Sequence, residues 1–255
     1  MACTGCRDGR ALDFDFSMAF QPIVDLATMR PYAYEALIRG LNGEGAAEVL
    51  ARVTPDNLYA FDQRCRVRAI ELAARAGILE TGARLSINFL PNAVYSPVAC
   101  IQLTLKTARE LDFPTDRLVF EFTENEQMLD PDHVASIAAA YHKMGFGIAL
   151  DDFGAGHAGL GLLARFQPDT VKLDMELVRG IDASLPRRVI VGGIVDMCRK
   201  LGIAVVAEGV ETESELAALR ALGIGYAQGY LLGRPGFEHL PAVTPPAVPE
   251  VAAAA

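Results

Sequence analysis

Short apolar runs recur along the chain, and each ends in a polar residue of the kind that binds metal or phosphate. Leu85–Ile87 leads into Asn88, Leu118–Phe120 into Glu121, Gly147–Leu150 into Asp151 and Asp152, Thr170–Val171 into Lys172, Ile203–Ala207 into Glu208, and Gly225–Ala227 into Gln228. The steps from Asn88 to Glu121, Asp151, Lys172, Glu208 and Gln228 are 33, 30, 21, 36 and 20 residues. Each step accommodates a strand, a loop, a helix and a return, and buried strands alternating with helices predict a parallel sheet. When the polar residue always closes the strand, all of them meet on the carboxyl-end face, where a barrel builds its active site.

Helical patterns fall at about 43–51, 56–77, 98–111, 132–144, 158–166, 184–201 and 212–222. Pro55 and Asp56 open the second, Asp130–His133 opens the fourth, and Glu211–Ser214 starts the last with acidic residues that suit a helix N-terminus. Gly145, Gly202 and Gly223 stand where helices stop. Ahead of them, Met18–Val24 and Pro31–Ile38 read as strands joined around Asp25–Thr28, a connection too short for a crossover. The expected architecture is therefore α/β, with eight strands and the first of them antiparallel.

The chain has 255 residues, 51% apolar and 22% charged, which suits a single barrel domain of about 250 residues. Residues 1–15 are expected to be a polar lead-in, 16–240 the domain, and 241–255 a disordered Pro/Ala tail. A formal charge of −9 argues against a nucleic-acid polymer as partner, since phosphates call for clustered Lys and Arg. No apolar run approaches the length of a membrane span, and the start lacks a secretory core, so a cytoplasmic protein without membrane contact is expected. Five cysteines, Cys3, Cys6, Cys65, Cys100 and Cys198, do not form a disulfide framework in a chain of this size; Cys3 and Cys6 have no second pair at metal spacing and stay unassigned.

Glu35, Glu121, Asp151, Asp152 and Glu208 would bring five carboxylates to one mouth. Two unit charges about 4 Å apart repel by about 4 kcal/mol at an effective dielectric near 20, and one lysine cannot offset five. Divalent cations can. An all-oxygen set with an Asn carbonyl suits Mg²⁺ or Mn²⁺ rather than zinc, and the four histidines, at 133, 142, 157 and 239, show no metal-type pairing. The glycines at 154, 156 and 159 imitate a dinucleotide fingerprint, but Asp151 and Asp152 immediately before them would repel a pyrophosphate.

Glu35–Arg39, Glu121–Glu124, Asp151–Gly154, Val171–Asp174, Ala207–Glu211 and Gln228–Leu231 together resemble, in order and spacing over about residues 16–240, the EAL-domain family of cyclic di-GMP phosphodiesterases. The resemblance implies a modified (β/α)₈ TIM-like barrel, two Mg²⁺ or Mn²⁺ ions, hydrolysis of cyclic di-GMP to linear pGpG, and a homodimer; Ca²⁺, larger and with looser, higher coordination, is expected to inhibit. Carried over by position, Glu35, Asn88, Glu121 and Asp151 would bind one metal, with Asp151 shared and Asp152 on the second. Lys172 would orient the attacking water or balance charge, and Glu208 and Gln228 would hold that water in line. Arg39 would grip the non-scissile phosphate, Gln21 and Asp174 would line the substrate site, and Glu124 would anchor the loop after Asp152.

That loop departs from the family: Ala155 stands where many active relatives carry Ser or Thr, His157 where they carry Tyr, and Ala158 and Gly159 where they carry Ser. Losing those hydroxyls puts the catalytic rate or its regulation in question. The alternative reading is a catalytically silent EAL-like domain that binds cyclic di-GMP or a protein partner; the complete ligand set favours the enzyme. No sensory or cyclase domain is expected, and the regulatory signal is not legible.

Overall fold

The computed structural model describes residues 12–94, 96–123, 131–156 and 159–244. Among the described residues nine strands form one sheet: β1 Ser17–Asp25, β2 Arg30–Arg39, β3 Arg84–Asn88, β4 Leu118–Thr123, β5 Gly147–Phe153, β6 Thr170–Leu173, β7 Ala204–Ala207, β8 Tyr226–Ala227 and β9 Gly236–Phe237. From β2 to β8 each strand pairs in parallel with the next, and β1 closes the ring by pairing antiparallel with both β2 and β8. The result is the modified barrel with its first strand reversed. Its reversal follows from the β1–β2 turn, where Asp25 Oδ1 accepts from the backbone N–H of Ala27 at 2.8 Å and Thr28 at 3.2 Å and Met29 adopts φ 54°. Beyond the expected eight strands, β9 pairs with β1 through Ala19 and Phe237.

Helices cover the barrel at Ala46–Leu50, Leu58–Arg75, Pro131–Lys143, Gly159–Arg165, Leu185–Leu201 and Glu213–Ala221, close to the positions the periodicity gives. The helix expected over 98–111 is instead two, Pro97–Cys100 and Gln102–Glu110, meeting at the buried Ile101. Thr212 and Glu215 form a capping box at the start of the last helix, and Gly145, Gly202 and Gly223 take φ of 87°, 74° and 87° just past helix ends. An aromatic layer of Phe89, Phe120, Tyr141 and Phe146 fills the space between β3, β4 and the helix Pro131–Lys143, with ring centroids 5.1–6.0 Å apart.

Packing runs past both expected domain edges. Phe14 is buried against Phe16 and Phe61, so the last part of the lead-in belongs to the core. At the other end Tyr34 Oη donates to Pro241 O at 3.1 Å and Thr244 N to Leu232 O at 2.8 Å, which ties residues 241–244 to the barrel. Cys3, Cys6 and the rest of the tail lie outside the described residues. Cys65, Cys100 and Cys198 are free and buried.

Candidate metal centre and substrate site

The parallel register brings the polar strand ends level. Asn88 is paired with Glu121 across β3–β4, and Glu35 with Ser86 across β2–β3. Inside the barrel, Lys172 on β6 is almost fully buried, and its Nζ lies 3.3 Å from Glu35 Oε2, 3.0 Å from Glu121 Oε2, 3.1 Å from Asp151 Oδ1 and 2.8 Å from Glu208 Oε1. One ammonium therefore faces four carboxylates drawn from four other strands or strand exits.

The carboxylates separate into two oxygen clusters with one member in common. Ligand atoms of Glu35, Glu121 and Asp151 lie within 4.8 Å of one another, and so do those of Asp151, Asp152 and Glu208. Neighbouring residues on a regular strand face opposite ways, so Asp151 and Asp152 can share a mouth only if β5 is irregular. It is: the β5–β6 register shifts between Leu150 and Phe153, and Asp152 adopts φ 53°. A left-handed non-glycine residue costs about 1 kcal/mol or more, strain that typically collects at functional positions.

Neutral groups orient the carboxylates. Asn88 Nδ2 donates to Glu35 Oε1 at 3.0 Å, Gln228 Nε2 donates to Glu35 Oε2 at 2.8 Å and to Gln21 Oε1 at 3.2 Å, and Gln21 Nε2 donates to Gly233 O at 3.1 Å. Ser86 donates to Glu121 Oε1 in a short contact. Ser86 was not among the residues singled out in the sequence, though its place two before Asn88 puts it on the same face of β3. Gly229 is obligatory beside Gln228, because a Cβ there would lie 2.1 Å from Val210 O.

The protonation balance reflects burial set against one cation. Burial raises the Glu35 carboxyl, but Lys172 and the hydrogen bonds from Gln228 and Asn88 outweigh it and hold Glu35 below its ordinary value. Burial raises Glu121 to about 8, opposed by Lys172 and reinforced by Glu35 and Asp151. Asp152 rises to about 6 through burial and then Asp151 and Asp174, and Glu208 rises well above its ordinary value for want of solvent. Burial would lower Lys172, yet Asp151, Glu121, Glu208 and Glu35 drive it far up. The site is short of positive charge, its donors are all oxygens, and Gln228 Oε1 is buried without a hydrogen-bond partner. These properties fit divalent cations.

Arg39 ends β2 with Nη1 donating to Ile38 O at 2.7 Å and no carboxylate paired to it among the described residues. Asp174 is half-buried and caps the short helix Met175–Val178, accepting from Glu176 N at 2.7 Å. After Asp152 the turn is closed by Ala155 N donating to Asp152 O at 3.1 Å, a backbone bond that needs no side-chain hydroxyl. Glu124 and His157 lie outside the described residues.

A barrel of parallel strands closed by one reversed strand, with two oxygen clusters sharing a carboxylate at its mouth, defines a TIM-like barrel with an acidic cation centre. The chain belongs to the EAL domain family, which it matches over residues 10–235. It is similar to a standalone EAL protein from Vibrio cholerae O395 solved in its c-di-GMP-bound form, at 50% identity and TM-score 0.88 over 92% of this chain and 98% of that one. It also resembles Klebsiella pneumoniae BlrP1 in a manganese/cy-diGMP complex, at 36% identity and TM-score 0.82 over 90% of this chain and 58% of that one. The blue light- and temperature-regulated antirepressor BluF of Escherichia coli K12 is 32% identical over 229 residues, which are 89% of this chain and 56% of BluF. Other relatives are named cyclic di-GMP phosphodiesterases, and this chain spans only 18% and 29% of the length of two of them.

Proposed function

We propose that the protein is a metal-dependent phosphodiesterase that hydrolyses one phosphodiester bond of cyclic di-GMP to give linear pGpG. The observation that carries this reading is the pair of oxygen clusters sharing Asp151 around the single ammonium of Lys172. Glu35, Asn88, Glu121 and Asp151 would hold one Mg²⁺ or Mn²⁺, and Asp151 and Asp152 the second, with Glu208 beside them. Two such cations supply an activated water and stabilise charge on the attacking and leaving oxygens. Lys172 balances the carboxylates and orients the water, while Glu208 and Gln228 hold it in line. Arg39, with no carboxylate paired to it among the described residues, takes the phosphate that does not react, through its guanidinium fork. Gln21, fixed by Gln228 and Gly233, lines the substrate groove. Asp174 lines it too, with its carboxylate already committed to a helix cap.

The retained carboxylate set supports turnover over a silent binding role. The free buried thiols fit a reducing compartment, and we place the protein in the cytoplasm; no helix among the described residues is long and apolar enough to cross a membrane. The exposed Leu185, Val189 and Ile190 on the helix Leu185–Leu201 support a homodimer.

Purified protein incubated with cyclic di-GMP should release pGpG, followed by chromatography, in Mg²⁺ or Mn²⁺ but not in Ca²⁺, whose looser and higher coordination misplaces the water. Equal rates in excess chelator would overturn the metal mechanism.

A further inference from the structure

The helix Leu58–Arg75 carries a buried ion pair outside the acidic mouth. Asp62 and Arg66 lie one turn apart at 3% and 0% exposure, and Arg66 Nη2 donates to Asp62 Oδ2 at 2.5 Å. Burying two ions carries a desolvation cost that an apolar pair of similar volume would avoid, so such a pair is poorly explained by stability alone. Its second carboxylate oxygen shows a use. Asp62 Oδ1 accepts from the backbone N–H of Leu90 at 3.2 Å, two residues beyond Asn88.

The segment after Asn88 needs such a tie. Asn88, Phe89 and Leu90 border a cavity of about 430 Å³ lined mainly by apolar side chains, among them Met18, Phe61 and Cys65. The Phe89 ring is anchored in the aromatic layer, but toward the cavity the exit has no facing wall of side chains in close contact. Two backbone N–H groups hold the strand exit there: Phe89 N–H donates to Glu121 O at 2.9 Å, and Leu90 N–H donates to the Asp62 carboxylate. Arg66 balances the carboxylate, leaving Asp62 free to accept on both sides.

We propose that Asp62, held by Arg66, is a positioning residue that fixes the strand exit carrying Asn88 and thereby sets the cation affinity of the centre. The inference rests on reading Asn88 as a cation ligand. Two charge-free double variants separate the tie from the charge: Asp62→Asn with Arg66→Met keeps an acceptor for Leu90 N–H, and Asp62→Leu with Arg66→Met removes it. The Leu variant should lose about tenfold or more in Mn²⁺ affinity by calorimetry, the scale of outer contacts that orient metal ligands, and its Leu90 amide should exchange hydrogen faster. The Asn variant should stay close to wild type in both. Leu219→Ala, a core truncation in the helix Glu213–Ala221, should lower the melting temperature and leave both readouts unchanged. Equal Mn²⁺ affinity in the two double variants, or an equal loss in Leu219→Ala, would overturn the proposal. Absence of Mn²⁺ binding in the wild type would instead overturn the reading of the centre, with the Leu90 exchange still reporting whether the tie exists.

Discussion

The two ends of the barrel are made by the same strands and balance their polar groups in opposite ways. At the floor, the Tyr32 and Tyr226 rings lie 4.2 Å apart, and Arg84 Nη1 donates to Tyr32 Oη at 2.7 Å with its guanidinium 5.2 Å from the Tyr32 ring. Ile23, Ala33 and Val206 pack against the two tyrosines, and the Arg84 guanidinium has both a hydroxyl and a ring as partners. At the mouth, four carboxylates share one ammonium and Asp152 takes a strained conformation. One end is satisfied by its own side chains. The other is left short of cations, which costs stability in the free protein and creates affinity for what completes it.

The largest test of that difference is turnover. Glu35→Ala or Asp151→Ala should cut pGpG production by about a thousandfold or more, since in the proposed mechanism each would hold the cations that stabilise transition-state charge. Tyr32→Phe deletes a floor hydroxyl and should leave the rate within about twofold at matched folding, because no reacting group is near it. Comparable losses at both ends, measured by chromatography of the product, would mean the mouth is not the reaction centre.

Thermal melts sharpen the comparison next. A cation that binds only the folded state adds about 2.7 kcal/mol at a hundredfold excess over Kd, and about 2–4 °C in Tm follows from each kcal/mol in a domain of this size. Mn²⁺ should raise the wild-type Tm accordingly. Asp151→Asn removes the carboxylate common to both clusters while keeping its size, so the chelated variant should melt higher than wild type and respond less to Mn²⁺. A chelated Asn variant that melts lower, or a full Mn²⁺ response, would break the claim that these charges crowd one site.

Much of the mouth was legible because strands have a simple period: a polar residue closing each apolar run lands on one face, and Asn88, Glu121, Lys172, Glu208 and Gln228 did. The reversed first strand was legible from the shortness of the Asp25–Thr28 turn. What the pattern could not give was irregularity and partnership at a distance. Asp151 and Asp152 are both expected at the mouth, but the register shift in β5 and the left-handed φ of Asp152 that let two adjacent residues share it are not written in the apolar pattern. Asp62 and Arg66 carry no signal in the helical pattern over 56–77, because nothing local records that this part of the helix is buried and that Leu90 N–H meets the carboxylate. The break at Ile101 and the addition of β9 likewise depend on tertiary packing rather than on periodicity.

The last test is the dependence of stability on pH, whose sign is diagnostic. Glu121 releases its proton near its ordinary 4.5 in the unfolded chain but near 8 in the folded one, through burial opposed by Lys172 and reinforced by Glu35 and Asp151; Asp152 moves from 3.8 to about 6. Between those limits the folded state binds more protons than the unfolded state, so stability falls as pH rises. Glu35 works in the opposite sense, being lowered, but its contribution is lost only as pH falls below 4.5. Chelated protein should therefore have a lower urea midpoint at pH 8 than at pH 5, and Glu121→Gln, which cannot titrate, should show a smaller decline. Saturating Mn²⁺ should turn the trend around, because the cations bind the deprotonated carboxylates and their affinity grows with pH. A chelated wild type more stable at pH 8 than at pH 5, or a Glu121→Gln variant with an undiminished decline, would mean that the mouth carries no excess of buried negative charge for a metal to relieve.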